Sequence, residues 1–188
     1  MNASAPHSIA LENGSALLWP GGDRGVLLLH GAIYDAASWE AQAQVMSSHG
    51  YTVLALEDLS SSVVLGGIDF LMNDCGAKGV VVIGASAGGA AALNTLSSDP
   101  DGIAGLILLS ATGEVKTLGD YPKLFIASKD EGFGDRLQMM AENAPGDQNE
   151  TLILPGSAHA QAIFKGDQSD ALLAAILAFL DQDARWEG

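Results

Sequence analysis

The stretch Val80-Val81-Val82-Ile83-Gly84-Ala85-Ser86-Ala87-Gly88-Gly89-Ala90-Ala91-Ala92-Leu93 is the most informative in the chain about its architecture. Four consecutive branched apolar residues read as a strand buried on both faces, and the small-residue run after Ser86 reads as a helix packed close to it. Between them, Gly84-Ala85-Ser86-Ala87-Gly88 has the G-x-S-x-G spacing of a sharp strand-to-helix turn that lifts a serine hydroxyl out of the backbone. Such a turn strains the serine, so the positions two before and two after it need the smallest side chains, and both are glycine. The pattern alone is weak; the strand before it and the helix after it give it weight.

On either side of this turn, short apolar runs bounded by Gly, Pro, Asp or Ser recur at Val26 to His30, Tyr51 to Leu56, Ile103 to Leu109, Lys123 to Ala127 and Thr151 to Leu154. With Val80 to Ile83 they make six candidate strands, each nearly continuous in Val, Ile and Leu, as a parallel sheet covered on both sides requires. Helical spacing appears between them at Ser38 to Ser48, Gly67 to Asp74, Ala87 to Ser97, Asp135 to Ala144 and Ser169 to Asp183, with Ser169 as the expected N-cap of the last helix. The stretch Ile9 to Trp19, broken by Asn13-Gly14, reads as a hairpin adding antiparallel edge strands. This alternation predicts an α/β fold, a three-layer α/β/α sandwich with a mostly parallel sheet, in one domain over residues 1–188.

Composition narrows the function. Of 188 residues, 48% are apolar and 16% charged, a composition that builds a core. A formal charge of −15 repels phosphate backbones and anionic lipid, so neither nucleic acid nor membrane is an expected partner. The single cysteine, Cys75, reads as structural. No phosphate loop, dinucleotide fingerprint or metal-ligand spacing is present, so no cofactor and no metal is expected. Met1-Asn2-Ala3-Ser4-Ala5-Pro6 lacks the basic and apolar regions of a signal peptide, which leads to an expectation of a cytoplasmic protein. The sequence does not indicate the oligomeric state.

At the start of the helix after Ser86, the N–H of Ala87 has no intrahelical partner and sits at the positive end of the helix dipole, where it can stabilise an oxyanion. The segment His30-Gly31-Ala32-Ile33-Tyr34, directly after the first parallel strand, is the expected source of a second donor, from Ala32 or else Ile33. Ile33 and Tyr34 are candidate substrate-lining residues; Trp39 is a further pocket candidate for which helix packing is the main role. The histidines His7, His30 and His49 and the acids Glu57 and Asp58 have ordinary structural or solvated roles.

The His-Gly turn after Val26 to His30, the Gly-Ala-Ser-Ala-Gly elbow, and an acid and a histidine following later strands together resemble the α/β-hydrolase superfamily over residues 20 to 183. The resemblance implies a catalytic triad in the order Ser, Asp, His: Ser86 as nucleophile, Asp130 in Ser128-Lys129-Asp130-Glu131 as the acid, with Glu131 the neighbour that could substitute, and His159 in Gly156-Ser157-Ala158-His159 as the base. The short segment Ala111 to Pro122 leaves no space for the helical cap common in the family, so the layout resembles that of small, lidless dienelactone hydrolase-like proteins, with serine where those typically carry cysteine. The implied activity is that of a carboxylesterase acting on small, short-chain esters. Thioesterase, amidase, perhydrolase and hydroxynitrile lyase chemistry, or a non-catalytic binding module, are the alternatives.

Overall fold

A computed structural model describes residues 5–186, so Met1 to Ser4, the larger part of the segment read as lacking a signal peptide, lie outside the described residues. Eight strands, β1 (His7–Leu11), β2 (Gly14–Trp19), β3 (Arg24–Leu29), β4 (Tyr51–Leu56), β5 (Val80–Ala85), β6 (Ile103–Leu109), β7 (Lys123–Ser128) and β8 (Asn149–Leu154), form one sheet in the order β1-β2-β4-β3-β5-β6-β7-β8. β3 to β8 run parallel, and β2 joins β4 antiparallel, with β1 paired antiparallel to β2 through a turn at Glu12-Asn13, one residue before the expected Asn13-Gly14 because Gly14 already pairs with Leu11. His7 is the first residue of β1 and pairs with Leu18.

Among the described residues, four α-helices connect strands, α1 (Glu40–Ser48), α2 (Ser61–Asp69), α3 (Ala87–Leu96) and α4 (Gly134–Asn143), and α5 (Ser169–Ala178) follows β8. Successive side chains of a strand alternate between faces, and the core divides accordingly. Val80 and Val82 of β5 pack with Val64, Leu93 and Leu137 from α2, α3 and α4. Val81 and Ile83 pack with Met46 and Ile176 from α1 and α5 on the other face. Burying some fifty apolar side chains in these two layers, at about 25 cal/mol per Å², is the main force holding the sheet.

Three expectations shift for physical reasons. Helix α2 begins at Ser61, well before Gly67, because Gly66 and Gly67 sit inside it and interrupt its pattern; a Cβ at Gly67 would stand 3.0 Å from Leu27, so the glycine lets the helix lie against the sheet. The last helix starts at Ser169 itself, with Gln168 in the capping position and no side-chain cap. β8, expected to be covered on both faces, is an edge strand with Glu150 and Ile153 exposed.

From β3 the chain crosses to β4 on one side of the sheet, and β5 returns to the other side of β3. This reversal falls between β3 and β5, and the carboxyl ends of the strands at such a point are where open parallel sheets bind ligands. The segment Ala111 to Pro122 between β6 and β7 contains no helix, so no helical cap is built there. Among the described residues, no helix is long and apolar enough to cross a membrane.

Candidate active site

Ser86 stands between β5 and α3 at φ 50°, ψ −109°, a conformation that L-residues rarely adopt. The surrounding glycines allow it. A Cβ at Gly88 would collide with the backbone carbonyl of Leu29, and one at Gly84 would stand 2.7 Å from the Gly88 carbonyl oxygen. Ser86 N–H is anchored to Leu109 O at 2.9 Å, which ties the turn to β6.

His159, in the loop after β8, meets this serine: His159 Nε2 lies 2.8 Å from Ser86 Oγ. Its other ring nitrogen, Nδ1, lies 2.5 Å from Glu131 Oε1. The expected acid, Asp130, is therefore not the histidine's partner; the neighbouring Glu131 is. The capping geometry of the loop explains the exchange. Ser128 caps a short 3-10 turn, Lys129–Glu131, and Glu131 folds back so that Oε2 accepts from Ser128 N–H at 2.8 Å, presenting Oε1 to His159. Asp130, one residue earlier in the turn, is exposed.

The Glu131 side chain is only 7% exposed, and the protein supplies a donor for each of its oxygens. A third comes from Ser110, at the end of β6, whose hydroxyl donates to Glu131 Oε2 at 2.8 Å and accepts from Ala160 N–H at 2.9 Å. Ser110 and Ala160 both have positive φ, 48° and 49°, so two strained residues hold the carboxylate and the histidine segment together. A buried carboxylate with three donors is held in one rotamer.

His159 is 51% exposed, so the relay opens directly to solvent. The N–H groups of Ala87 and Ala32 donate to no partner among the described residues, leaving both free to bind an oxygen. Ile33 projects into solvent at 88% exposure and lines none of the main cavities, whereas Tyr34 borders one of about 310 Å³ with Ser38, Gln161, Phe164 and Lys165. Trp39 is fully buried against Phe164, a packing residue. Glu57 and Asp58 are exposed loop acids, and Glu57 also accepts from Ala36 N–H at 3.1 Å. His49 closes α1 by donating from Nδ1 to Val45 O at 2.9 Å.

Glu131, expected only as the neighbour that could substitute for Asp130, had a further sequence signal: Ser128-Lys129-Asp130-Glu131 has the S-x-x-E spacing of a capping box. Ser110 and Gln161 had none, because their partners are distant in the chain. Among the described residues, no group of three or more His, Cys, Asp or Glu is arranged to hold a metal ion.

No family model matches the chain. Among solved structures, a dienelactone hydrolase from Anabaena variabilis superposes with a TM-score of 0.79 at 17% identity, covering 97% of this chain and 100% of the other. A soluble variant of monoglyceride lipase from Saccharomyces cerevisiae gives 0.77 at 12% identity, covering 97% of each chain. An esterase from Exiguobacterium antarcticum gives 0.71 at 12%, covering 93% of this chain and 99% of its own. Identities this low speak to architecture and not to substrate. By sheet order, elbow and these superpositions, the chain has the α/β-hydrolase fold.

Proposed function

We propose that this protein is a serine hydrolase that cleaves small carboxylic esters through an acyl-enzyme, with Ser86 as nucleophile, His159 as general base and Glu131 as the acid that orients it. The continuous relay from Ser86 Oγ to His159 Nε2 and from His159 Nδ1 to Glu131 Oε1, at 2.8 and 2.5 Å, carries the proposal. A serine hydroxyl is a poor nucleophile unless a base takes its proton during attack. With Nδ1–H donating to Glu131, the Nε2 lone pair faces Ser86 Oγ and accepts that proton.

Attack on the ester carbonyl forms the Ser86 Oγ–C bond and moves the carbonyl electron pair onto oxygen, where the N–H groups of Ala87 and Ala32 stabilise it. The imidazolium, paired with Glu131, then protonates the departing alkoxide. Water, deprotonated by His159 in the second half, releases the carboxylic acid and restores Ser86. The names esterase, monoglyceride lipase and dienelactone hydrolase among proteins of this fold agree with ester cleavage.

With no helix between β6 and β7 and His159 half exposed, small soluble substrates are favoured over long chains that need an enclosing lid. Thioesters and amides can be attacked by the same groups. A panel of p-nitrophenyl esters from acetate to palmitate, run on the parent and on Ser86→Ala, tests it. Short-chain turnover in the parent and none in the variant is expected; equal turnover in both overturns it.

A further inference from the structure

We infer that Gln161 is a positioning residue that holds the Ala32 N–H in place for the oxyanion; the inference rests on the serine-hydrolase reading above. Gln161 lies two residues after His159, in the 3-10 turn Ala160–Lys165, and is 4% exposed. Its side-chain amide reaches across to the loop after β3. Oε1 accepts from Gly31 N–H at 2.7 Å, and Nε2 donates to Ser38 Oγ at 2.9 Å. One amide thus grips both ends of the segment that carries Ala32.

Between those grips the loop is held by its own turns and by Glu57 in the loop after β4. Tyr34 N–H returns to Gly31 O at 2.9 Å, and Ser38 N–H is capped by Asp35 Oδ1 at 2.9 Å. His30 Nδ1 donates to Gly31 O at 2.8 Å, and Glu57 holds Ala36 N–H. The two bonds to Gly31 O orient the peptide plane that carries the Ala32 N–H within its own loop; the bond from Gly31 N–H to Gln161 sets the adjoining plane and ties the segment to the loop of His159. Because the amide comes from the histidine's own segment, the base and the oxyanion donor are registered to one another through a single side chain.

A buried amide serving only as filler is replaceable by an apolar residue of the same shape at modest cost. A positioning amide is not, because displacing an oxyanion donor acts on the transition state and leaves substrate binding alone.

The test compares the parent with Gln161→Met, similar in length and without either hydrogen bond. We expect kcat for a short-chain p-nitrophenyl ester to fall roughly 10- to 100-fold with KM within about twofold, the range for a displaced oxyanion donor. The inhibition constant of a small alkyl boronic acid, whose tetrahedral adduct on Ser86 places an oxygen where the oxyanion forms, should rise by the same factor. The midpoint of the kcat/KM pH profile should stay at the parent's value. Should Gln161→Met fail to fold, Ser38→Ala, which frees the Nε2 end and also removes the Ser38 hydroxyl's bond to Asp35 O, is expected to lower kcat severalfold with the same parallel loss of boronate affinity. Unchanged kcat and boronate affinity in a folded Gln161→Met, or a loss confined to KM, overturns the inference while leaving the hydrolase reading intact. A parent that neither turns over esters nor binds boronate overturns both.

Discussion

Replacing Glu131 by glutamine removes a charge and almost no volume, yet the surrounding donors dictate a large effect. Ser128 N–H points at Oε2 from 2.8 Å and can only donate. Ser110 Oγ, 2.8 Å from the same oxygen, already accepts from Ala160 N–H, so its own proton also goes to Oε2. In Glu131→Gln the new amide must therefore put its oxygen at the Oε2 position and its NH2 where Oε1 faces His159 Nδ1. An NH2 group there donates to Nδ1 and forces the proton onto Nε2, which then has no lone pair for the Ser86 hydroxyl. The wrong tautomer in a triad of this kind costs about 10^4-fold in kcat, or roughly 5.5 kcal/mol. For Glu131→Gln we expect a fall of about 10^3- to 10^4-fold with KM little changed, while Asp130→Asn, altering an exposed side chain, should stay within about twofold of the parent. Steady-state kinetics on a short-chain p-nitrophenyl ester, with melting curves to verify folding, decides the matter. A severe loss in Asp130→Asn together with a mild one in Glu131→Gln refutes the assignment of Glu131.

Ser110→Ala removes a donor to Glu131 and the acceptor for Ala160 N–H, so kcat should drop about 10-fold with a small loss in Tm, measurable by the same kinetics and by calorimetry. Gly88→Ala drives a Cβ into the backbone of β3 and should cost on the order of 3 kcal/mol or more, seen as a Tm lowered by roughly 10 °C or as insoluble protein; a parent-like melt would show that the elbow yields to a side chain there. Lys123 is fully buried, with Nζ donating to Tyr121 O and Pro145 O at 2.6 and 2.7 Å, and burial pushes its pKa down to about 8. Because the unfolded lysine titrates near 10.4, the unfolded chain binds more protons between about pH 8 and 10.4, and stability contributed by this group rises with pH across that window. Relative to Lys123→Met, the parent should therefore gain about 2 kcal/mol in urea-measured stability between pH 7.5 and 10, and no pH dependence in that difference would contradict it. Tyr51 and Tyr121, whose hydroxyls burial holds well above their ordinary range, act in the opposite sense above about pH 10.

The layered architecture was legible because it is written in local periodicity. Continuous Val, Ile and Leu at Tyr51 to Leu56, Val80 to Ile83 and Ile103 to Leu109 can only be satisfied by burial on both faces, and the elbow glycines announce a close approach of helix to strand from the sequence alone. The element ends were less legible. Polar residues such as Asn149 and Glu150 join an edge strand that needs only one covered face, and glycines inside α2 hide its first turns. At the site, Ser86 and His159 could be placed by their positions after strands. The choice between Asp130 and Glu131 depended on the turn made by Ser128, a matter of one residue's phase around a 3-10 turn that apolar patterning does not encode. Ser110 and Gln161 were invisible because their bonds span 50 and 130 residues, and only the folded sheet brings those partners together.

Activation of Ser86 by His159 can be read out by covalent labelling, without the choice of an ester. The protein is incubated with a fluorophosphonate at neutral pH, and the modified peptide is located by mass spectrometry in the parent, in Ser86→Ala and in His159→Asn. One phosphonyl group per chain on Ser86 is expected, with none in Ser86→Ala and labelling slowed by several orders of magnitude in His159→Asn. Folded parent that stays unlabelled, or that is labelled at another residue with Ser86→Ala reacting as fast as the parent, contradicts the assignment of Ser86 and His159.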